Sequence, residues 1–161
     1  MQKIISLFAL LCLAAIAPSA IAQQKEDSLQ TADSVSVEQR RLDAIEKSCL
    51  SKIAEGFQVV KTYRFNVSTN PKEGYKINQN YIFSSTAQYN IAICGEWEED
   101  RMPVIYVFDS RNNKIAESKN GSVSIKPQQG GIVRIVYDFK NPPAQLLGVS
   151  IIASAPKAKK K

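Results

Sequence analysis

The sequence predicts a mainly β protein: an antiparallel β-sandwich or jelly roll of about eight strands, preceded by one amphipathic α-helix. Short runs in which apolar and polar residues alternate recur between residues 57 and 153, and turn-forming residues separate them at fairly regular intervals. None of these runs is followed by a helical pattern, which disfavours the crossover connections of a parallel sheet. Regular short strands are typical of a sandwich or jelly roll rather than of a closed barrel.

The predicted helix runs from Val37 to Glu55. Ser36 and Gln39 form a capping-box pattern at its start, and Gly56 is placed to end it in the left-handed conformation. Behind the cap, apolar residues recur at spacings of three and four, as in an amphipathic helix: Leu42, Ile45, Cys49, Ile53 and Phe57. Cys49 therefore lies on the apolar stripe of this helix.

The predicted strands cover residues 57–67, 75–83, 89–94, 103–108, 114–117, 122–125, 133–139 and 147–153. In the first strand, alternation places five apolar residues on one face: Phe57, Val59, Tyr63, Phe65 and Val67. The third and fourth strands are interpreted as a central hairpin, joined by the acidic loop Gly95–Met102. The other strands are expected beside this hairpin or across it.

Residues 1–22 have the pattern of a secretory signal peptide. Lys3 supplies the positive charge, Ile4–Ala17 the apolar segment, and Ala20–Ala22 a small-x-small cleavage site. The alternative is an uncleaved membrane anchor, but about 14 apolar residues are short for a span, which needs roughly 20. We therefore expect export to the periplasm, the cell surface or the medium, with no transmembrane span after cleavage.

The mature chain is predicted to hold one domain between two disordered ends. Residues 23–35 are polar and form a flexible lead-in, residues 36–155 form the helix and the β-sandwich, and residues 156–161 form a basic tail. The formal net charge is +6, but Lys3 leaves with the signal and four lysines lie in the tail. The folded part therefore has no strongly basic face, which disfavours nucleic-acid binding. The tail itself suits contact with anionic surfaces.

Two cysteines, Cys49 and Cys94, remain after cleavage at residue 22. Because export places them in an oxidising compartment, we expect one disulfide, and the alternative is two buried free thiols. Alternation along the third strand places Cys94 on the face opposite Tyr89, Ile91 and Ile93. The disulfide therefore requires the helix to lie on that face or at the end of the strand.

Six strand sequences follow one another in a fixed order: Tyr81–Phe83, Tyr89–Ile93, Ile105–Asp109, Lys114–Ser118, Val123–Ile125 and Gly131–Ile135. This order resembles the bacterial pre-peptidase C-terminal domains and, more distantly, other jelly-roll modules of exported proteins. The resemblance covers residues 76–153 and rests on the rhythm of the strands. It implies a non-catalytic accessory or binding fold, usually fused to an enzyme.

Composition excludes several kinds of catalysis. The sequence has no histidine, so neither Ser-His-Asp nor Cys-His chemistry is available. It also has no phosphate-binding Gly-x-x-x-x-Gly-Lys pattern. A pair of carboxylates for glycoside hydrolysis needs a fixed separation, whereas the densest carboxylates here crowd one loop. We therefore expect a protein that is not an enzyme.

That acidic loop is the strongest candidate for a ligand site and contains Glu96, Trp97, Glu98, Glu99 and Asp100. A tryptophan among charges has three interpretations. Its ring folds back and caps the edge of the sandwich, or it contacts a protein or sugar partner. Alternatively the carboxylates, Glu98 and Asp100 above all, bind Ca²⁺ together with backbone oxygens.

The tyrosines have two interpretations as well. A core role with the hydroxyl in water is the commoner, and a sugar-stacking platform is the other, for residues 63, 75, 81, 89, 106 and 137.

The leading functional hypothesis is a small exported module that binds a protein partner. The alternative is a carbohydrate- or Ca²⁺-binding module that uses the Trp97 loop, with no other cofactor. An enzyme inhibitor is a third class.

Overall fold

The computed structural model describes residues 37–157. The predictions of a signal peptide, a lead-in and the Ser36 cap lie outside these residues, as does the predicted tail beyond Lys157. Within the described residues, no helix is long and apolar enough to cross a membrane.

Eight strands form two four-stranded antiparallel sheets. The strands are β1 Gln58–Ser68, β2 Tyr75–Phe83, β3 Ala87–Gly95, β4 Val104–Phe108, β5 Lys114–Ser118, β6 Ser122–Ile125, β7 Gly131–Phe139 and β8 Gln145–Pro156. Sheet I has the order β1-β8-β3-β6, and sheet II has the order β2-β7-β4-β5. This is the strand order of a jelly roll, so the predicted fold class is confirmed.

The prediction of a central hairpin is wrong. β3 pairs with β6 and β8 in sheet I, whereas β4 pairs with β5 and β7 in sheet II. The loop between β3 and β4 therefore crosses from one sheet to the other. A tight two-residue turn would have forced the strands to pair, but this connection is long enough to span both layers.

The core lies between the sheets and includes a buried polar group. Ile91 and Ile93 of β3, Ile135 of β7 and Leu146 of β8 are completely buried there. The hydroxyls of Tyr137 and Ser150 hydrogen-bond to each other, and the Tyr137 hydroxyl also donates to Gln79 Oε1 at 3.2 Å. Burial raises the pKa of Tyr137, so this hydroxyl stays neutral and bonded.

β8 is buried at every position from Leu146 to Ala153, although alternation would expose every second residue. Its inward side chains pack in the core between the two sheets, and its outward side chains pack in the cluster beneath the helix. Because both faces are covered, the strand is apolar throughout instead of alternating.

α1, the helix of residues 37–50, covers the outer face of sheet I. It ends earlier than predicted, because residues 51–53 donate their backbone N–H groups three residues back, as in a tighter turn. The N–H of Ala54 donates to the side chain of Asn90 on β3 at 3.2 Å, so a tertiary hydrogen bond replaces a helical one. Gly56 adopts the predicted left-handed conformation, with φ of 80°, at the end of this turn.

Cys49 of α1 and Cys94 of β3 form the predicted disulfide, with their Cα atoms 5.5 Å apart. Both lie on the outer face of sheet I, as the alternation of β3 required. They join an apolar cluster that includes Leu42, Ala92, Leu147, Val149 and Ile151. The disulfide therefore fastens the helix to the face that it covers.

One prediction on β1 is wrong in detail. The register shifts between Val59 and Lys61, as in a β-bulge, and Val59 and Val60 are 44% and 42% exposed. Tyr63, Phe65 and Val67 still pack against the core. The bulge thus removes only the start of the strand from the predicted inward face.

Candidate functional site

Trp97 packs against the end of the core. Its ring is partly buried and lies parallel to Phe65, with centroids 6.3 Å apart, and edge-on to Phe139 at 5.2 Å. A Cβ on Gly95 would lie 1.9 Å from this ring, so the glycine makes room for it. Of the three interpretations of Trp97, the structure shows the ring that folds back and caps the sandwich.

The carboxylates around Trp97 are distributed rather than convergent. Glu96 accepts two hydrogen bonds from the guanidinium of Arg41 on α1, one of them from Nε at 2.9 Å. This pairing lowers the pKa of Glu96. Glu98 pairs with Arg101 at 3.6 Å, and Glu99 and Asp100 form a single turn of 3₁₀-helix with Arg101.

A Ca²⁺ ion needs six to eight oxygen ligands, which a cluster of carboxylates supplies most directly. No three acidic, histidine or cysteine side chains among residues 37–157 lie close enough to hold a metal ion. Ca²⁺ binding by Glu98 and Asp100 stays a prediction.

The tyrosines divide between the core and the surface. Tyr89 and Tyr137 are buried, and Tyr63, Tyr75 and Tyr81 are half-buried against the core. Tyr106 differs, because it lies on the outer face of sheet II, opposite Val136 in the register of β4 and β7. A platform of several tyrosine rings is therefore not formed.

The two sheets differ in what lies over them. α1 covers sheet I, whereas no helix or strand within residues 37–157 covers the outer face of sheet II. That face forms a shallow depression of about 480 Å³. Its polar and aromatic lining comprises Lys76, Asn78, Tyr106, Phe108, Lys114, Arg134 and Asp138.

Cations lie over both aromatic rings of this depression. The guanidinium carbon of Arg134 is 4.6 Å from the centroid of Phe108, and Lys114 Nζ is 5.5 Å from the centroid of Tyr106. Lys114 also binds Glu117 at 2.5 Å, a contact that raises the pKa of the lysine and lowers that of the glutamate. The rings are thus partly covered by charge rather than bare.

The turn between β4 and β5 fixes the position of Arg134. The Asp109 carboxylate accepts hydrogen bonds from the backbone N–H groups of Arg111 and Asn113, at 2.9 and 2.8 Å. Together with the side-chain amide of Asn113, these bonds lower the pKa of Asp109. Asn112 sits between them with φ of 64°, and its side-chain oxygen accepts a hydrogen bond from Arg134.

A second depression, of about 590 Å³, adjoins the first between the β4–β5 turn and the β6–β7 loop. Arg111 and Lys126 contribute charge to its lining, and Ile115 and Ile132 contribute apolar surface. Ile132 is 58% exposed, and its cross-strand partner Ile82 is 71% exposed. We call the outer face of sheet II and this second depression together the open face.

Sequence reasoning did not find the open face. Along β4, Ile105 and Val107 point into the core while Tyr106 and Phe108 point outward. Both sets are apolar or aromatic, so alternation alone does not identify the inner one. The sequence contains both isoleucines of this face, Ile82 and Ile132, but only the register of β2 and β7 shows that they are neighbours.

Comparison with protein-family models and with curated proteins finds no match to this sequence. The resemblance to the bacterial pre-peptidase C-terminal domains stays a prediction from the order of the strands.

Proposed function

We propose that this chain is a non-catalytic exported module that binds a protein partner on its open face. The observation that carries the proposal is the asymmetry of the sandwich: a helix fastened by a disulfide covers sheet I, whereas no helix or strand within residues 37–157 covers the corresponding face of sheet II. Ile82 and Ile132 lie side by side on that face of sheet II. Adjacent exposed apolar side chains beside aromatic rings are typical of interaction surfaces.

A binding role also agrees with the chemistry of the side chains. The open face offers aromatic rings, amides and cations, which are contact groups. Its carboxylates are engaged by their neighbours: Asp138 pairs with Lys76 at 3.3 Å, and Glu117 pairs with Lys114. The sequence supplies no histidine to act as a general base near them.

A carbohydrate-binding module is supported less well. Sugar stacking needs a free aromatic face, but Trp97 packs on Phe65 and Phe139, and cations lie over Tyr106 and Phe108. A protein partner uses the isoleucines and the cations together. The proposed site is therefore the open face and not the Trp97 loop.

Site-specific photo-crosslinking in the cells that make the protein tests the proposal. A photoreactive amino acid at Asn78 or Asn80, both exposed on β2, is expected to give one discrete protein adduct. The same label at Val59 or Val60 on β1 serves as the control, since these positions are also exposed but lie on sheet I.

The double variant Ile82→Ser, Ile132→Ser is expected to abolish that adduct. The control variant Val59→Ser, Val60→Ser is expected to leave it unchanged. Adducts of equal yield from both sheets, or an adduct that survives the isoleucine variant, would refute the proposed face.

A further inference from the structure

We propose that the partner presents an acidic segment to the open face and that Arg134 anchors a carboxylate of that segment. This inference rests on the proposed function and specifies the chemistry of the partner. It follows from how charges are paired across the molecule.

Arg134 differs from the other arginines that bind side chains across elements. Arg41 pairs with Glu96, and Arg64 pairs with both Asp43 and Glu46. The ion pairs found within residues 37–157 do not include Arg134. Among these residues, the Arg134 side chain donates a hydrogen bond to the neutral amide of Asn112 and lies over the ring of Phe108.

The position of Arg134 is organised in advance of binding. Phe108 supports the guanidinium, and the turn built on Asp109 holds the amide that binds it. A guanidinium has five N–H donors in a planar fork, so the donors that Asn112 does not use remain available. A carboxylate is the group that this planar fork binds best, with two parallel hydrogen bonds. A side chain already held in place loses little entropy when it binds.

The charge of the open face favours the same partner. Five basic residues line or flank it: Lys76, Arg111, Lys114, Lys126 and Arg134. The three acidic residues of the face are already satisfied, Asp138 and Glu117 by lysines and Asp109 by its own turn. The charge that remains for a partner is positive.

The isoleucines distinguish a protein from a simple anion. Ile82, Ile115 and Ile132 give the face an apolar edge next to its cations. Phosphate or a polyanion would use the cations alone, whereas an acidic segment that also carries apolar side chains would use both. We therefore assign the face to a protein segment in which acidic and apolar residues are mixed.

The test is an NMR titration of the whole exported chain with synthetic peptides. The first probe mixes glutamate and leucine, the second replaces each glutamate with glutamine, and the third contains glutamate alone. The first is expected to shift amide signals of β7, β4 and the β4–β5 turn. The second and third are expected to bind at least about tenfold more weakly, since each lacks one kind of contact.

Arg134→Gln is expected to weaken binding of the first peptide about tenfold, and Arg134→Lys is expected to restore part of it. Arg101→Gln is the matched control, because it removes the same charge at the other end of the sandwich, where Arg101 pairs with Glu98. This control is expected to bind like the unchanged chain. Raising NaCl from 50 to 500 mM is expected to weaken binding several-fold.

Three results would overturn the inference. Equal loss of affinity in the Arg134 and Arg101 variants would indicate attraction to net charge. Inorganic phosphate that binds as tightly as the first peptide would indicate a simple anion site. A crosslinked partner on the open face that ignores both salt and Arg134→Gln would overturn the acidic segment while leaving the proposed function in place. Absence of any crosslink from the labels at Asn78 and Asn80, with no other substitution in the chain, would count against the proposed function.

Discussion

Replacement of Trp97 by alanine separates a structural from a ligand-binding role of the acidic loop. Because Trp97 caps the core against Phe65 and Phe139, its loss is expected to lower the free energy of unfolding. A buried tryptophan replaced by alanine costs about 3–5 kcal/mol, and this ring is only partly buried, so we expect about 2–3 kcal/mol. For a domain of this size, that loss lowers the midpoint of thermal unfolding by roughly 6–12 °C.

The assay is denaturant unfolding followed by far-UV circular dichroism, because the variant lacks the protein's one tryptophan. The slope of the unfolding free energy against denaturant is expected to stay unchanged. Trp97→Phe keeps an aromatic ring and is expected to lose less than half as much stability. Unfolding of Trp97→Ala that coincides with that of the unchanged chain would refute the packing role and would restore Trp97 as a contact residue for a ligand.

Three further predictions concern the disulfide, one ion pair and the buried hydroxyls. Removing the disulfide with Cys49→Ala and Cys94→Ala is expected to cost about 4 kcal/mol in the chain-entropy model, measured by denaturant unfolding, and reduction of the unchanged chain should cost a similar amount. The ion pair of Glu96 with Arg41, which lowers the pKa of Glu96, is expected to stabilise the fold above about pH 4.5. This stabilisation is lost as the pH falls through the lowered pKa that Glu96 has in the folded protein. Because the pair is exposed, the free energies of unfolding of the unchanged chain and of Glu96→Gln should differ by less than about 1 kcal/mol. Ser150→Ala is expected to cost only about 1 kcal/mol in the same assay, since the Tyr137 hydroxyl keeps its bond to β2, and a loss above 3 kcal/mol would contradict this.

Local patterns predicted the strands well because alternation is a property of neighbouring residues. β2 begins and ends at the predicted residues, and β5 and β6 differ from prediction by at most one residue. Alternation along β3 also placed Cys94 on the helix side, as the disulfide requires. These inferences depended only on the direction of side chains along one strand.

Pairing of strands and burial of loops depend on residues far apart in the sequence. Nothing within the β3–β4 loop indicates that Phe65 and Phe139 will cover Trp97, since both reach it through the packing of the two sheets. The hairpin prediction failed for the same reason, because β3 found its partners in β6 and β8. The open face escaped prediction because the sequence of β4 is apolar on both of its sides.

The ion pairs determine which variants will report on folding and which on binding. On the helix side, Arg41 joins α1 to the β3–β4 loop, and Arg64 joins β1 to α1, so each pair ties together distant parts of the chain. On the open face, Lys76 of β2 pairs with Asp138 of β7, Lys114 and Glu117 lie in one strand, and Arg134 has no acidic partner within residues 37–157. Loss of a pair on the helix side affects the packing of α1, whereas loss of Arg134 removes one neutral hydrogen bond and one ring contact. Variants of Arg134 should therefore change partner affinity while the free energy of unfolding stays within about 0.5–1 kcal/mol of that of the unchanged chain, and a larger loss of stability would show that Arg134 serves the fold instead.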